Sequence, residues 1–237
     1  MAESLGTERE ARIQWKHALP RGRPVVRHDL LVDFARGKRV AHVGFVDELM
    51  ESKRAQGVWL HDRLGEVASS LVGVDVDEDG VRWAREHGYD AYSVDAQSPE
   101  AVRALGVEPA EVVIAGEIVE HLDAPGPFLR AMRELARDDG LLVVTTPNAY
   151  RLLNFLAPLR GSELVHPDHT LWSSPQTLRE LLRRGGWEVE GMAWYENAPR
   201  AGASIGNAAR RALLLVGRIA PYWSTGIAAW ARPSSTK

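Results

Sequence analysis

"VVIAGEIVEHLDAPGPFLRAMRELARDDGLLVVTTPN", residues 112–148, carries two apolar runs on either side of an amphipathic one. The first run belongs to "AEVVIAGEIVEHL" (110–122), which reads as a strand leaving an acidic end. "PGPFLRAMRELARDDG" (125–140) reads as a helix with proline in its first turn. "GLLVVTTPN" (140–148) is apolar without alternation, as in a central parallel strand covered on both faces. Strand, helix and buried strand predict a parallel pair joined by a right-handed crossover.

The alternation extends in both directions. Upstream, "RVAHVGFVDELM" (39–50) opens with a short strand, Val40 to Val43, that runs into Gly44, and "GVWLHDRLGEVASSL" (57–71) has apolar residues near helical spacing. "LVGVDVD" (71–77) is a buried strand ending in acids, and "EDGVRWAREHG" (78–88) is a short helix stopped by Gly88. "YDAYSVDA" (89–96) is a strand and "SPEAVRALG" (98–106) a helix opened by Pro99, while the polar insert "ELMESKRAQG" (48–57) is expected to be a loop. Downstream, residues 149–173 form a long irregular connection, and a long loop at the ligand edge of such a sheet is usually functional. "SPQTLRELLRRGG" (174–186) is a helix capped by Ser174, with Pro175 first and Gly185 and Gly186 last. "WEVEGMAWYE" (187–196) and "GIAAWARP" (226–233) read as closing strands separated by a basic helix around "NAARRALLLVGR" (207–218), which suggests an antiparallel edge. Strands that alternate with helices call for a doubly wound sheet with its ligands at the carboxyl ends of the strands.

Bulk properties narrow the function. With 237 residues, 45% hydrophobic and 26% charged, the chain fits one globular α/β domain. A net charge of −3 provides no global field for nucleic acid. Cysteine is absent, so disulfides, thiolate metal sites and cysteine nucleophiles are excluded, and a reducing compartment, the cytoplasm, is expected. The amino terminus has no signal-peptide core, and the apolar tail segment "ALLLVGRIAPYW" is interrupted by Arg218 and Pro221, so no membrane association is expected.

Four stretches, "VAHVGFVD", "LVGVDVD", residues 112–148, and "HPDHTLWSSPQTLRELLRRGGWEVE", together resemble the class I S-adenosylmethionine-dependent methyltransferases. Within that class the chain is most similar to the broad group of ubiquinone-type O-methyltransferases and many natural-product and sugar methyltransferases. The resemblance runs from Arg39 to Val189, and the most specific part is Glu-x-x-Glu-His-Leu, a helix, and a strand closing on Thr-Pro-Asn. It implies an α/β, Rossmann-like doubly wound, mostly parallel seven-stranded sheet with an antiparallel last strand. It also implies one domain over residues 1–237: an N-terminal helical cap (1–38), a cofactor-binding core (39–148), an acceptor-side loop (149–173), and C-terminal helices and closing strands (174–237).

The resemblance assigns S-adenosylmethionine as cofactor and a small-molecule acceptor, with O-methylation the expected reaction. Gly44 lets backbone approach a ligand, and a cofactor without pyrophosphate has less need of the full GxGxxG, so Phe45 and Val46 are tolerated there. Asp47 is placed to accept from the cofactor's amino group or to cap a helix. Asp75, with Val76 beside it, is the expected ribose acceptor and Asp77 its competitor. Asp95 with Ala96 would take the adenine, unless Asp95 only closes a turn. Glu117 is assigned to the cofactor, and His121 is the expected general base with Glu120, His166 and His169 around it, although Glu120 and His121 can equally tie the strand end to backbone. Arg27 or His28, in the amino-terminal segment, is placed to touch the cofactor.

Glu117, Glu120, His121 and one loop histidine also resemble the magnesium site of small-RNA 3′-end 2′-O-methyltransferases, the alternative function. No metal is the expectation, and a homodimer stays open. A degenerate, non-catalytic scaffold is the third reading, suggested by the loop at Gly44 to Asp47. Trp187, Trp194, Trp230, Trp83 and Trp59 read as core, whereas Trp172 follows the histidine pair and is placed to line an acceptor pocket.

Overall fold

The strands of the computed structural model are β1 (Val25–Val26), β2 (Arg39–Val43), β3 (Ser70–Asp75), β4 (Ala91–Ser93), β5 (Ala110–Gly116), β6 (Ala136–Pro147), β7 (Trp187–Glu196) and β8 (Gly226–Pro233). They join in one sheet of order β1-β7-β8-β6-β5-β2-β3-β4. Residues 16–198 and 219–234 are described. The helices are α1 (Arg27–Ala35), α2 (Met50–Ala55), α3 (Leu60–Gly65), α4 (Glu78–Glu86), α5 (Pro99–Ala104), α6 (Pro125–Leu135), α7 (Leu152–Leu156) and α8 (Pro175–Arg184).

From β4 across to β6 every neighbouring pair is parallel. β8 then runs antiparallel to both β6 and β7, which gives the mostly parallel sheet and antiparallel last strand that the sequence implies. The chain moves outward from β2 to β4 and then returns to β5 on the other side of β2. That reversal opens a crevice at the carboxyl ends of β2 and β5, where ligands of such sheets bind.

The period of two in β5 explains how both faces are covered. Val113 and Ala115 pack with Phe128, Leu129 and Met132 of α6 and Leu178 and Leu182 of α8. Val112 and Ile114 face the other way, against Leu31 and Val32 of α1 and Leu60 and Leu64 of α3. The capping box at Ser174 and Thr177, with Pro175 in the first turn, fixes the start of α8. Among the described residues no helix is long and apolar enough to cross a membrane.

Several expectations need correction. The sheet has eight strands, because residues Val25 and Val26 add a short parallel edge to β7. "ELMESKRAQG" contains α2, whose Met50 is buried with Phe45 and Trp59, so tertiary packing overrides a polar local sequence. Residues 136–140, read as helix, extend β6 instead, because Ala136 pairs with Ala110 across a bulge. β5 ends at Gly116 and a single 3-10 turn follows at Val119–His121. The long connection is partly helical, with α7 and a 3-10 turn at Pro158–Arg160. In the described part of the amino-terminal cap, the only helix is α1. The expected helix at 207–218 lies outside the described residues, as do residues 1–15.

Candidate active site at the carboxyl ends of the strands

Gly44 leaves β2 with φ +68, and a Cβ there would stand 2.5 Å from Ile118 Cδ1, so glycine lets the loop after β2 close against the turn after β5. The loop is tied to β3 by Asp75, whose Oδ2 accepts from Val46 N at 2.9 Å and whose Oδ1 accepts from Asp77 N at 3.1 Å. Burial pushes the Asp75 carboxyl above its usual value, against the opposing pull of those backbone donors. Asp77 caps α4 through Asp79 N and Gly80 N. Asp47 pairs with Lys53 at 2.9 Å, and Asp95 accepts from Gln97 N at 2.8 Å. Asp75 thus closes β3, while Asp47 and Asp95 follow the carboxyl ends of β2 and β4. Val76, 68% exposed, offers an open apolar surface beside Asp75, and Ala96 is half-buried.

Phe45 turns inward: it is buried against Gly73 and Trp59, so only its backbone faces the edge. Trp59 is buried and donates from Nε1 to Phe45 O at 3.1 Å. Beneath the loop, His42 of β2 and His61 of α3 are buried with their Nδ1 atoms 3.1 Å apart. One ring must donate and the other accept, so the accepting ring at least is neutral. Burial holds His42 well below its usual value and His61 at about 3.

Across the crevice, Glu117 takes φ +59, which is strained for a residue with a side chain. Tyr195, fully buried on β7, donates its hydroxyl to Glu117 Oε1. Arg27 donates to Thr145 Oγ1 at 2.9 Å and lies 3.9 Å from the same Glu117 oxygen. Glu120 is 1% exposed and accepts from Thr146 Oγ1 at 3.0 Å; burial, with Glu117 nearby, raises it to about 8.

Thr170 fastens the 149–173 segment to this edge through Glu120 O and Leu122 O. That contact carries His166 and His169 to His121, with ring centroids 5.5 and 4.6 Å from it. Nitrogen atoms of the three imidazoles lie within 4.8 Å of one another. Partial burial keeps His121 and His169 below the usual imidazole value. Trp172 meets His169 edge-on at 6.3 Å and lines a cavity of about 660 Å³ with Ala149, Asn154, Pro158, Glu163 and Leu164.

The fold thus gathers the acids of the three strand tips on one side and Glu117, Glu120 and the three histidines on the other. Among the described residues the side chains close enough together to share one ion are His121, His166 and His169, without Glu117 or Glu120, and their nitrogen donors suit transition metals better than magnesium. Sequence reasoning missed Tyr195, Thr145 and Thr146. All three lie in strands that read as plain core, and their polar groups meet Arg27, Glu117 and Glu120 only after the strands assemble. Arg27, expected near the cofactor, contacts Thr145 and Glu117 within the protein. His28 is half-buried and held at about 4 by burial beside Arg27 and Arg63.

A family model described as a methyltransferase domain matches residues 55–191, more than half of the chain. A ubiquinone biosynthesis O-methyltransferase of Caulobacter sp. (strain K31) is 32% identical over 113 residues, which cover 46% of this chain and 44% of that protein. A second protein so named, from Roseobacter denitrificans, is 31% identical over 142 residues, 56% of either chain. The chain thus spans about half the length of the curated relatives it matches. A solved SAM-dependent methyltransferase from Archaeoglobus fulgidus has a similar fold, with a TM-score of 0.54 at 18% identity, covering 86% of this chain and 90% of that one. The sheet order and the family match agree: the chain belongs to the methyltransferase domain family.

Proposed function

We propose that this chain transfers a methyl group from S-adenosylmethionine to an oxygen of a small-molecule acceptor, such as a sugar, glycoside or secondary metabolite. The observation that carries the reading is the crevice at the carboxyl ends of β2 and β5, with strand-tip carboxylates on one side and imidazoles on the other. The similarity to O-methyltransferases supports the reaction type.

The residues fit the cofactor's chemistry. Asp75 is a buried carboxylate whose two oxygens each keep a lone pair beyond the backbone donor already bound, which suits a pair of ribose hydroxyls. Val76 gives the base an apolar neighbour and Asp95 with Ala96 its polar edge. Gly44, the Phe45 backbone and Asp47 face the amino-acid portion, together with Glu117. The bound cofactor supplies a methyl already activated by a sulfonium charge, so the chain must align the acceptor and remove its proton. His121 would take that proton from the acceptor hydroxyl as the carbon–oxygen bond forms and the methyl–sulfur bond breaks, with S-adenosylhomocysteine as the leaving group. Its lowered proton affinity keeps it neutral near pH 7, ready to act as base. His166 and His169 flank it, and Glu120, too buried to touch an acceptor, holds the turn that carries it.

The cavity beside Trp172 suits the acceptor's body by volume, within the range of small-molecule sites. None of its lining residues is basic, which favours an uncharged acceptor over a phosphodiester. The lack of cysteine supports work in the cytoplasm.

Calorimetric titration with S-adenosylhomocysteine tests the reading, followed by transfer of a labelled methyl group to a panel of hydroxylated small molecules. Micromolar binding and transfer are expected. No binding at millimolar ligand would leave the scaffold reading, and magnesium-dependent transfer to an oligonucleotide would favour the RNA one.

A further inference from the structure

We propose that Tyr195 and Arg27 are positioning residues that fix Glu117 as a cofactor-binding carboxylate, an inference that rests on the function proposed above. Three chain-distant elements converge on Glu117, which follows β5: α1 brings Arg27 and β7 brings Tyr195 to its side chain, and β6 brings Thr145 to its backbone. Two glycines make room for the two partners. A Cβ on Gly116 would strike the Arg27 guanidinium, and one on Gly226 would strike the Tyr195 ring. The backbone of Glu117 is held in its left-handed turn by a hydrogen bond from its N–H to Thr145 O at 2.8 Å. Such strain persists only where the surroundings over-determine it, and it concentrates at ligand-binding positions.

The grip is one-sided. Tyr195 and Arg27 both address Oε1, while the Glu117 side chain keeps 31% of its surface exposed. Burial raises Tyr195 well above the usual phenol value, so its hydroxyl stays a proton donor throughout the working pH range. Arg27 is largely covered and anchored by Thr145, so its charge cannot swing away. A carboxylate pinned through one oxygen presents the other to the crevice, where it can accept from an N–H or O–H donor of the bound cofactor. Preorganisation of this kind lowers the ordering cost of binding.

A double-mutant cycle separates this role from simple packing. In the full chain, Tyr195→Phe should weaken S-adenosylhomocysteine about 10-fold, as expected for an interaction with a charged group. Glu117→Gln should weaken it comparably, and Tyr195→Phe added to Glu117→Gln should change affinity by less than about 2-fold, because the residue through which it acts is already altered. Arg27→Met should follow the same pattern and serves if Tyr195→Phe does not fold. Equal losses from Tyr195→Phe in both backgrounds, or wild-type affinity in Tyr195→Phe, would overturn the inference while leaving the cofactor reading intact. A wild-type chain that binds no S-adenosylhomocysteine would overturn both.

Discussion

Acid should weaken this fold through the imidazole pair beneath the cofactor loop, and His61→Phe should remove part of that sensitivity. His42 and His61 are 3% and 1% exposed and share one hydrogen bond, and burial disfavours a charge on either ring. Their folded proton affinities lie below the unfolded value of 6.5. A group depressed in this way contributes its full stability above the unfolded value, and that stability is lost as pH falls from about 6.5 toward the folded value. Between pH 6 and 5 the unfolded chain binds close to one more proton per ring, so each ring costs about 1.4 kcal/mol per pH unit. Glu120 works in the opposite sense, because its folded value of about 8 exceeds the unfolded 4.5 and stability is recovered as pH falls between them, by up to the same amount per unit. The two rings together outweigh it, and His28 adds to their side.

Urea unfolding of the wild type at pH 7, 6 and 5 should therefore show stability falling with acid. His61→Phe places a ring of similar size among Phe45, Trp59 and Tyr89 and should reduce the slope between pH 6 and 5 by about 1.4 kcal/mol per unit. At pH 7 the same variant should lose about 1–3 kcal/mol, because His42 Nδ1 is left without its buried partner. An unchanged slope would show that His61 is not held neutral in the folded state, and the reasoning would fail.

Asp75→Ala should weaken S-adenosylhomocysteine by about 30-fold or more in calorimetry, since hydrogen bonds to a charged acceptor contribute roughly 1.5–3 kcal/mol each; an affinity within 3-fold of wild type would displace the ribose from Asp75. His121→Gln should lower turnover by about 10² to 10⁴ with little change in cofactor affinity, and equal losses in both would mark it as structural. In the wild type the acid limb of the rate profile should fall below pH 6.5, because His121 stays deprotonated below its usual range, and that limb should vanish in His121→Gln. Gly44→Ala must hold φ +68 and press a methyl onto Ile118, so chemical denaturation should report a loss of about 1–3 kcal/mol; no loss would mean that the loop is free to shift.

The sequence alone determined the parallel core, because Val40 to Val43, Leu71 to Asp75, Val112 to Ala115 and Leu141 to Val144 are apolar runs too short for helices and too continuous for one-sided strands. It also determined where the chain would present acids and imidazoles, since residues following such strands must emerge at one edge. Helix starts written in capping chemistry, Ser98 with Pro99 and Ser174 with Pro175, were legible for the same local reason. Only the tertiary structure decided which of those groups meet. Glu117 and Tyr195 are 78 residues apart, Arg27 and Thr145 are 118 apart, and His42 and His61 stack from different elements. Contacts of that separation depend on sheet order and on glycines that admit close approach, neither of which leaves a periodic mark in the chain. Burial likewise turned Phe45 into core and covered Glu120, because a side chain's direction follows from what packs over it as well as from its place in the sequence.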